Sequence, residues 1–252
     1  MLDAEDVFVA RGAELTATPP TARHNDDMHE VREGVIEIPI GYVKAYAVIV
    51  DDGVVLVDTG VPGRANKLTR AIEAARRPIG EVHTILLTHW HPDHVGSVAE
   101  LRRRSGARVV AHAIDAQLIT GVAKVQPTKG FMRIVAAIMP PPEPVPVDEA
   151  LTADGPISVP GFTAIHTPGH TRGHTSFLLD RGGGVLFAGD AAGGRRDGRI
   201  RRSPRMVTED RAAELASIAR LGNLSFESAV FGHGRAISRE AAQRFREFAA
   251  RG

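Results

Sequence analysis

The sequence contains no cysteine. This absence excludes disulfide frameworks, thiolate metal sites and cysteine nucleophiles, so any metal ion must be held by nitrogen and oxygen ligands. An excess of one charge is also missing, because 31 Lys and Arg residues stand against 30 Asp and Glu residues and leave a formal net charge of +1. No overall field therefore favours nucleic acid or an anionic membrane as a partner.

Long apolar runs are absent as well. The first residues, from Met1 to Asp6, are acidic and lack the basic start and apolar centre of a signal peptide, and no apolar run has the length of a membrane span. We therefore expect a cytoplasmic protein that acts on a small-molecule substrate and has neither a membrane nor a nucleic acid as partner.

The length of 252 residues suits one large domain with a substantial core, and no linker is visible. We predict a single domain over residues 1–252, with a polar N-terminal arm over residues 1–34 and regular structure from Val35 onward. Residues 115–146 combine an apolar helical stretch with a proline-rich one and predict a helical insert. The insert is either a lid over the site, an ordinary surface excursion packed on the core, or a contact in a homodimer.

Short β-branched runs predict strands, and segments with apolar residues at helical spacing predict helices. The predicted strands cover residues 35–40, 43–50, 54–57, 84–87, 108–111, 162–165, 176–179, 185–188 and 228–231. The predicted helices cover residues 62–78, 94–104, 208–222 and 238–250. Two groups of strands, each followed by helices, predict an α/β protein in which two stacked sheets lie between helical layers.

The run His89-Trp90-His91-Pro92-Asp93-His94 directly follows the apolar end of a predicted strand. Neutral imidazole nitrogen is a good ligand for borderline cations such as Zn²⁺, and a carboxylate adds neutralising charge and a proton acceptor. A catalytic ion needs about three protein ligands and one open position. This spacing therefore predicts a metal site in preference to a group of solvated histidines.

Further potential ligands lie at predicted strand ends in the second half of the chain: His170, Asp190 and His233. With the histidine run before them, and with the turn Val57-Asp58-Thr59-Gly60, these motifs resemble in order those of the metallo-β-lactamase superfamily. The resemblance implies a four-layer αββα sandwich with a two-metal site between the sheets. By position it assigns the first metal to His89, His91 and His170, the second to Asp93, His94 and His233, and a bridging role to Asp190.

The resemblance also implies a hydrolase that carries two Zn²⁺ per chain, with iron or manganese as other metals, and that uses a hydroxide shared by both ions as its nucleophile. Asp93 would then move a proton to the leaving group. Asp58 would orient a metal ligand, unless it only caps its own turn. His174 is expected to line the pocket without binding metal.

The motifs of this sequence can be compared with those of individual branches of the superfamily to narrow the substrate class. The resemblance is to the glyoxalase II and lactonase branch, which implies cleavage of an ester, lactone or thioester. Metallo-β-lactamases proper commonly have Cys or Ser in place of Asp190, and lactonases place a Tyr where this sequence has Gly193. Both departures leave the individual substrate open.

Arginines crowd the segment after Asp190, at positions 195, 196, 199, 201, 202 and 205. We predict that Arg195 and Arg196 bind a carboxylate or phosphate of the substrate, with a solvated loop as the alternative. Two other function classes stay open. One is an oxidoreductase resembling persulfide dioxygenases, with a single iron, and the other is a phosphodiesterase or nuclease, which only the arginines support.

Overall fold

The computed structural model describes residues 28–124 and 141–251. Residues 1–27 of the predicted arm and residues 125–140 of the predicted insert lie outside the described part. The strands are β1 His29–Arg32, β2 Val35–Ile40, β3 Val43–Val50, β4 Gly53–Val57, β5 Val82–Leu86, β6 Arg108–His112, β7 Glu149–Leu151, β8 Gly155–Pro156, β9 Phe162–His166, β10 Thr175–Leu179, β11 Val185–Phe187, β12 Gly193–Gly194, β13 Ile200–Arg201 and β14 Ser228–Val230. The α-helices are α1 Ala65–Ala74, α2 Pro92–Val95, α3 Val98–Ser105, α4 Ala113–Ile119, α5 Arg211–Gly222 and α6 Ala241–Ala249, with 3-10 helices at Ile79–Glu81 and Arg205–Val207.

The first sheet contains seven strands in chain order, β1 to β7. Strands β1 to β4 pair antiparallel, as their short turns require, and β4 to β7 pair parallel through helical crossovers. The prediction that regular structure begins at Val35 was wrong, because β1 starts at His29 and pairs with β2. This polar edge strand of four residues has no buried position and so no apolar pattern to announce it.

The second sheet has five strands in the order β14-β11-β10-β9-β8, and β12 and β13 form a separate two-stranded ribbon. Strands β8 to β11 pair antiparallel, whereas β11 and β14 are parallel. Strands β9, β11 and β14 therefore all run in the same direction. Their carboxyl ends meet at one edge of the sheet.

The helices deviate from the predicted bounds at their starts. The helix predicted over residues 94–104 is two helices, α2 and α3, because the chain turns at Gly96 and Ser97. The helix predicted from Thr208 begins after Asp210, whose carboxylate caps it by accepting hydrogen bonds from two backbone N–H groups. The predicted insert begins inside α4, and its far end, residues 141–146, has neither helix nor strand. Among the described helices none has the length and apolar character needed to cross a bilayer.

Three clusters of buried apolar side chains define the layers. One fills the space between the first sheet and the helices α1 and α3, and includes Leu56, Leu68 and Leu101. A second lies between the sheets and joins Val55 to Phe177. The third packs the second sheet against α5 and α6. Alternate residues of one strand face different clusters, as the two-residue period of a strand dictates, and the predicted αββα sandwich is confirmed.

The carboxyl ends of β4 and β5 lie beside those of the second sheet's parallel strands. Two backbone hydrogen bonds join the sheets there, from Thr175 N–H to Thr88 O at 2.8 Å and from Lys44 N–H to Gly232 O at 3.0 Å. Side chains that follow β4, β5, β9, β11 and β14 are thereby brought to one edge of the sandwich. Ligands of α/β proteins commonly bind at such strand ends.

Candidate metal centre

The predicted ligands converge at this edge from four separate loops. His89 and His91 follow β5, and Asp93 and His94 lie in the single turn of α2 that begins at Pro92. The remaining three ligands come from the second sheet. His170 lies between β9 and β10, Asp190 follows β11, and His233 follows β14.

Their donor atoms form three groups in which all atoms lie within 4.8 Å of one another: His89, His91 and His170; Asp93, His94 and His233; and His89, His94 and Asp190. The first two groups are the two ligand sets implied by the sequence resemblance. Asp190 lies between them, because its Oδ2 is 3.4 Å from His170 Nε2 and 3.3 Å from His233 Nε2. The geometry therefore suits two cations that share one carboxylate.

Several potential metal-ligand atoms of the site are buried and have no hydrogen-bond partner in the described part of the chain, which indicates whether the site fits a metal. His89 Nε2, His94 Nε2 and Asp190 Oδ1 are buried and accept or donate no hydrogen bond among the described residues. An unpaired buried polar atom costs about 1–3 kcal/mol, so several at one place need a common explanation. A donor set of imidazoles and carboxylates suits zinc or iron, and the residues present fit such a metal.

Asp58 holds His94 in place. Its Oδ2 lies 2.7 Å from His94 Nδ1, and its two oxygens accept hydrogen bonds from the backbone N–H and the hydroxyl of Thr88 at 2.8 Å each. Asp58 has a φ of 59°, in the left-handed region that Asp tolerates better than most residues. The turn acid therefore aims its carboxylate at a ligand, and His94 Nε2 is directed toward the cluster.

Burial and the neighbouring carboxylates shift the pKa values of the clustered histidines in opposite directions. Burial lowers the pKa of His91 to about 4 and that of His89 well below its usual range, so both imidazoles are neutral at pH 7. Burial raises the pKa of Asp190, but His94 and His233 outweigh it and bring the pKa below its usual range. Burial likewise lowers the pKa of His94, yet the carboxylates of Asp58 and Asp190 raise it to about 9.

His174 does not line the cavity, contrary to the sequence-based expectation. Its side chain is completely buried, Nδ1 lies 2.8 Å from Thr167 Oγ1, and Nε2 accepts the backbone N–H of Asp190 at 2.9 Å. Burial lowers its pKa to about 3 and keeps the ring neutral, as an acceptor at Nε2 must be. His174 thus fixes the backbone that carries Asp190 and has no surface on which to bind a substrate.

Asp115 is a site residue that the sequence did not reveal. Its buried carboxylate accepts hydrogen bonds from Trp90 N–H at 3.1 Å, Thr171 Oγ1 at 2.8 Å and Gly173 N–H at 2.9 Å. A Cβ at Gly173 would lie 2.4 Å from Asp115 Oδ1, so only glycine permits this approach. Asp115 therefore connects the loop of His89 and His91 to the loop that carries His170. Across these two loops, His91 Nδ1 and His170 Nε2 lie 2.9 Å apart.

A cavity of about 1590 Å³ opens over the cluster. Its wall is mainly apolar and includes Trp90, Val98, Leu118, Ile119, Pro144 and Met206, together with both described ends of the predicted insert. Tyr42 stacks on His233 at the rim, with ring centroids 5.7 Å apart. An apolar wall around a few polar groups is typical of small-molecule sites.

The two predicted substrate-binding arginines lie outside this wall. Arg195 is exposed and pairs with Asp197 at 3.6 Å, and Arg196 is exposed as well. From the same arginine-rich segment it is Arg201, on β13, that lines the cavity. The structure agrees with the alternative, a solvated loop, because the tight turn between β12 and β13 carries residues 195 and 196 to its solvent side.

Comparison with known proteins agrees with this geometry. The model of the metallo-β-lactamase superfamily matches residues 38–233. The probable metallo-hydrolase YflN of Bacillus subtilis is 32% identical over 203 residues, which cover 71% of this chain and 75% of YflN. A hydroxyacylglutathione hydrolase of Pseudomonas paraeruginosa is 32% identical over 126 residues, which cover 48% of this chain and 38% of that protein.

Solved structures share the same architecture. A metallo-β-lactamase of Cronobacter sakazakii superposes with a TM-score of 0.70 at 22% identity, over 89% of this chain and 92% of that one. A subclass B3 metallo-β-lactamase of Bradyrhizobium japonicum gives a TM-score of 0.69 at 20% identity, over 89% and 90% of the two chains. At these identities the similarity establishes the fold alone.

Proposed function

The chain belongs to the metallo-β-lactamase superfamily of metal-dependent hydrolases, and from this premise we propose that it cleaves an ester, lactone or thioester with two zinc ions. One observation carries the proposal. There are two groups of three donor atoms, and within each group the atoms lie within 4.8 Å of one another. Asp190 lies between the two groups, and the cluster borders a largely apolar cavity. His89, His91 and His170 would hold the first ion, and Asp93, His94 and His233 the second.

When bound, two divalent ions lower the pKa of a coordinated water and polarise a substrate carbonyl oxygen. The chain's own residues supply position and proton transfer. Asp58 and His174 fix His94 and the backbone of Asp190, so that neither has to reorganise during the reaction.

Asp93 is suited to carry the proton. It lines the cavity, its side chain is 17% exposed, and Oδ2 lies 3.3 Å from His233 Nε2. Burial raises its pKa, but His233 and His94 lower it to about 2, so the carboxylate is ionised at neutral pH. Because Asp93 lines the cavity, its carboxylate can deliver a proton to a leaving alkoxide or thiolate.

The apolar wall favours an acyl compound over a polynucleotide. A nuclease would need cationic side chains for several phosphates, and of the arginine-rich segment 195–205 only Arg201 lines the cavity among the described residues. A single-iron oxidoreductase would leave one of the two groups of three donors without a metal ion.

The test combines metal analysis with a substrate panel. We expect about two zinc ions per chain and hydrolysis of lactones, alkyl esters or thioesters by the purified protein, with no cleavage of phosphodiesters. His91→Ala should abolish hydrolysis and release one ion, whereas His83→Ala, which removes a partly exposed histidine that pairs with Asp52, should change neither. One iron per chain with oxygen consumption on a persulfide would contradict the proposal.

A further inference from the structure

Arg201 is the one arginine of the segment 195–211 that both lines the cavity and has no acidic partner among the described residues. Arg195 and Arg199 pair with Asp197, and Arg202 and Arg211 pair with Glu214. Arg196 and Arg205 are exposed, and neither residue lines the cavity. Arg201 is half-buried, so its guanidinium is only partly hydrated. A carboxylate or phosphate that pairs with such a charge stabilises it.

The position of Arg201 is fixed next to the metal centre. It pairs with Gly193, three residues beyond Asp190, in the ribbon of β12 and β13. A Cβ at Gly193 would lie 3.0 Å from Arg201 Nε and 3.0 Å from the backbone oxygen of His233. The arginine side chain therefore occupies the space over Gly193, beside the loop of a predicted ligand.

The acidic residues of the wall outside the metal ligands are already engaged. Glu209 pairs with Arg172 at 3.8 Å, Glu143 pairs with Arg103 at 2.6 Å, and Asp210 caps α5. Of the two lysine and arginine side chains of the wall without an acidic partner among the described residues, Lys124 is exposed, whereas Arg201 is half-buried and lies beside the loop of His233.

We propose that Arg201 binds a carboxylate of the substrate, so that the preferred substrate is an ester, lactone or thioester whose acyl part carries a free carboxylate a few bonds from the scissile carbonyl. This inference rests on the proposed function and specifies its substrate class. The guanidinium forms two parallel hydrogen bonds with a carboxylate, while the apolar wall receives the leaving group.

The kinetic test uses the mono-4-nitrophenyl esters of succinic, glutaric and adipic acid. The neutral counterparts are the same 4-nitrophenyl esters with the free carboxylate converted to a methyl ester. We expect the wild-type protein to prefer the half-esters. Arg201→Met should lower kcat/KM for the best half-ester by roughly 10- to 100-fold, mainly through KM, because a hydrogen bond to a charged group is lost. The neutral diesters should change by less than about twofold, and Arg201→Lys should restore part of the preference. Arg196→Met removes an exposed arginine outside the cavity and serves as the matched control.

An equilibrium measurement separates this inference from the proposed function. Glutaramic acid should bind the zinc-loaded protein more tightly than neutral glutaramide, and Arg201→Met should remove the difference, even if no ester is cleaved. Absence of all hydrolysis would overturn the proposed function alone. The carboxylate assignment would be overturned by equal kinetics on half-esters and diesters, or by equal losses on both in Arg201→Met. Tighter binding of 4-phosphonobutyramide, the phosphonate analogue of glutaramic acid, would overturn it as well.

Discussion

Replacing Asp115 by Asn tests whether one buried carboxylate holds the first metal group together. Its Oδ2 accepts Trp90 N–H and the Thr171 hydroxyl, and its Oδ1 accepts Gly173 N–H. An amide retains one of the two acceptor oxygens and presents an NH₂ group to the donor on the other side. At least one hydrogen bond to a charged acceptor is therefore lost, which costs about 1.5–3 kcal/mol of the free energy of unfolding.

Stability alone does not distinguish this role from ordinary packing, so the assay includes metal binding. For a chain of this size each kcal/mol lowers Tm by about 2–4 °C, and the variant should unfold several degrees below the wild type. Because the loops of His91 and His170 lose their common tie, zinc affinity at that group should fall by roughly 10- to 100-fold. Competition with a chromogenic chelator measures it, and one ion should leave before the other.

Asp148→Asn provides the matched control. Asp148 also accepts a backbone N–H, that of Val109 at 2.7 Å, and pairs with Arg102, but it does not line the cavity. We expect a comparable loss of stability with zinc affinity and kcat unchanged. If Asp115→Asn loses stability and yet keeps wild-type zinc affinity and kcat, the carboxylate is structural only and the reasoning is refuted.

Three further predictions concern the groups around the cluster. Asp58→Asn should lower zinc affinity at the group of His94 by about 10- to 100-fold, measured by chelator competition; unchanged affinity would show that the 2.7 Å contact does not orient the ring. His174→Leu should displace the backbone of Asp190, whose N–H loses its acceptor, and lower kcat at least about tenfold; a kcat equal to that of the wild type would contradict this. In the metal-free protein, burial lowers the pKa of His91 to about 4 and that of His174 to about 3, so the unfolded chain binds more protons below pH 6.5 and the free energy of unfolding should decline as the pH falls from about 6.5 to 4. Urea titrations at a series of pH values test this, and a flat profile would exclude neutral histidines in the fold.

The sequence by itself predicted the ligand types, and its resemblance to a known family implied the two ligand groups. His89, His91, Asp93 and His94 share six residues after an apolar strand, so their proximity is a local property of the chain. His170, Asp190 and His233 could be added only through the resemblance, because their approach depends on which strands run in the same direction. The strands and helices followed from hydrophobic periodicity, the two stacked sheets between helical layers followed from the grouping of the strands, and the αββα sandwich was implied by the resemblance.

Residues that act through a contact across the fold were missed or misplaced. Asp115 was read as the beginning of an insert, since nothing in its neighbourhood shows that Trp90 and Gly173 supply its hydrogen bonds. The sequence does contain one signal for Asp115, because this acid follows a buried strand and lies at the start of a helix. Acids are common at ordinary helix starts, however, so the signal does not identify a site residue.

Side-chain direction separates what the sequence determined from what the tertiary structure decided. Composition and order determined that imidazoles and carboxylates would gather at strand ends and that arginines would follow Asp190. Only the tertiary structure decided that His174 accepts a backbone N–H inside the protein, and that Arg201, in place of Arg195 and Arg196, lines the cavity. The physical reason is that these side-chain directions depend on contacts between distant segments. The partner of His174 is the backbone of Asp190, and the pairing of Gly193 with Arg201 leaves residues 195 and 196 in the turn between the two strands.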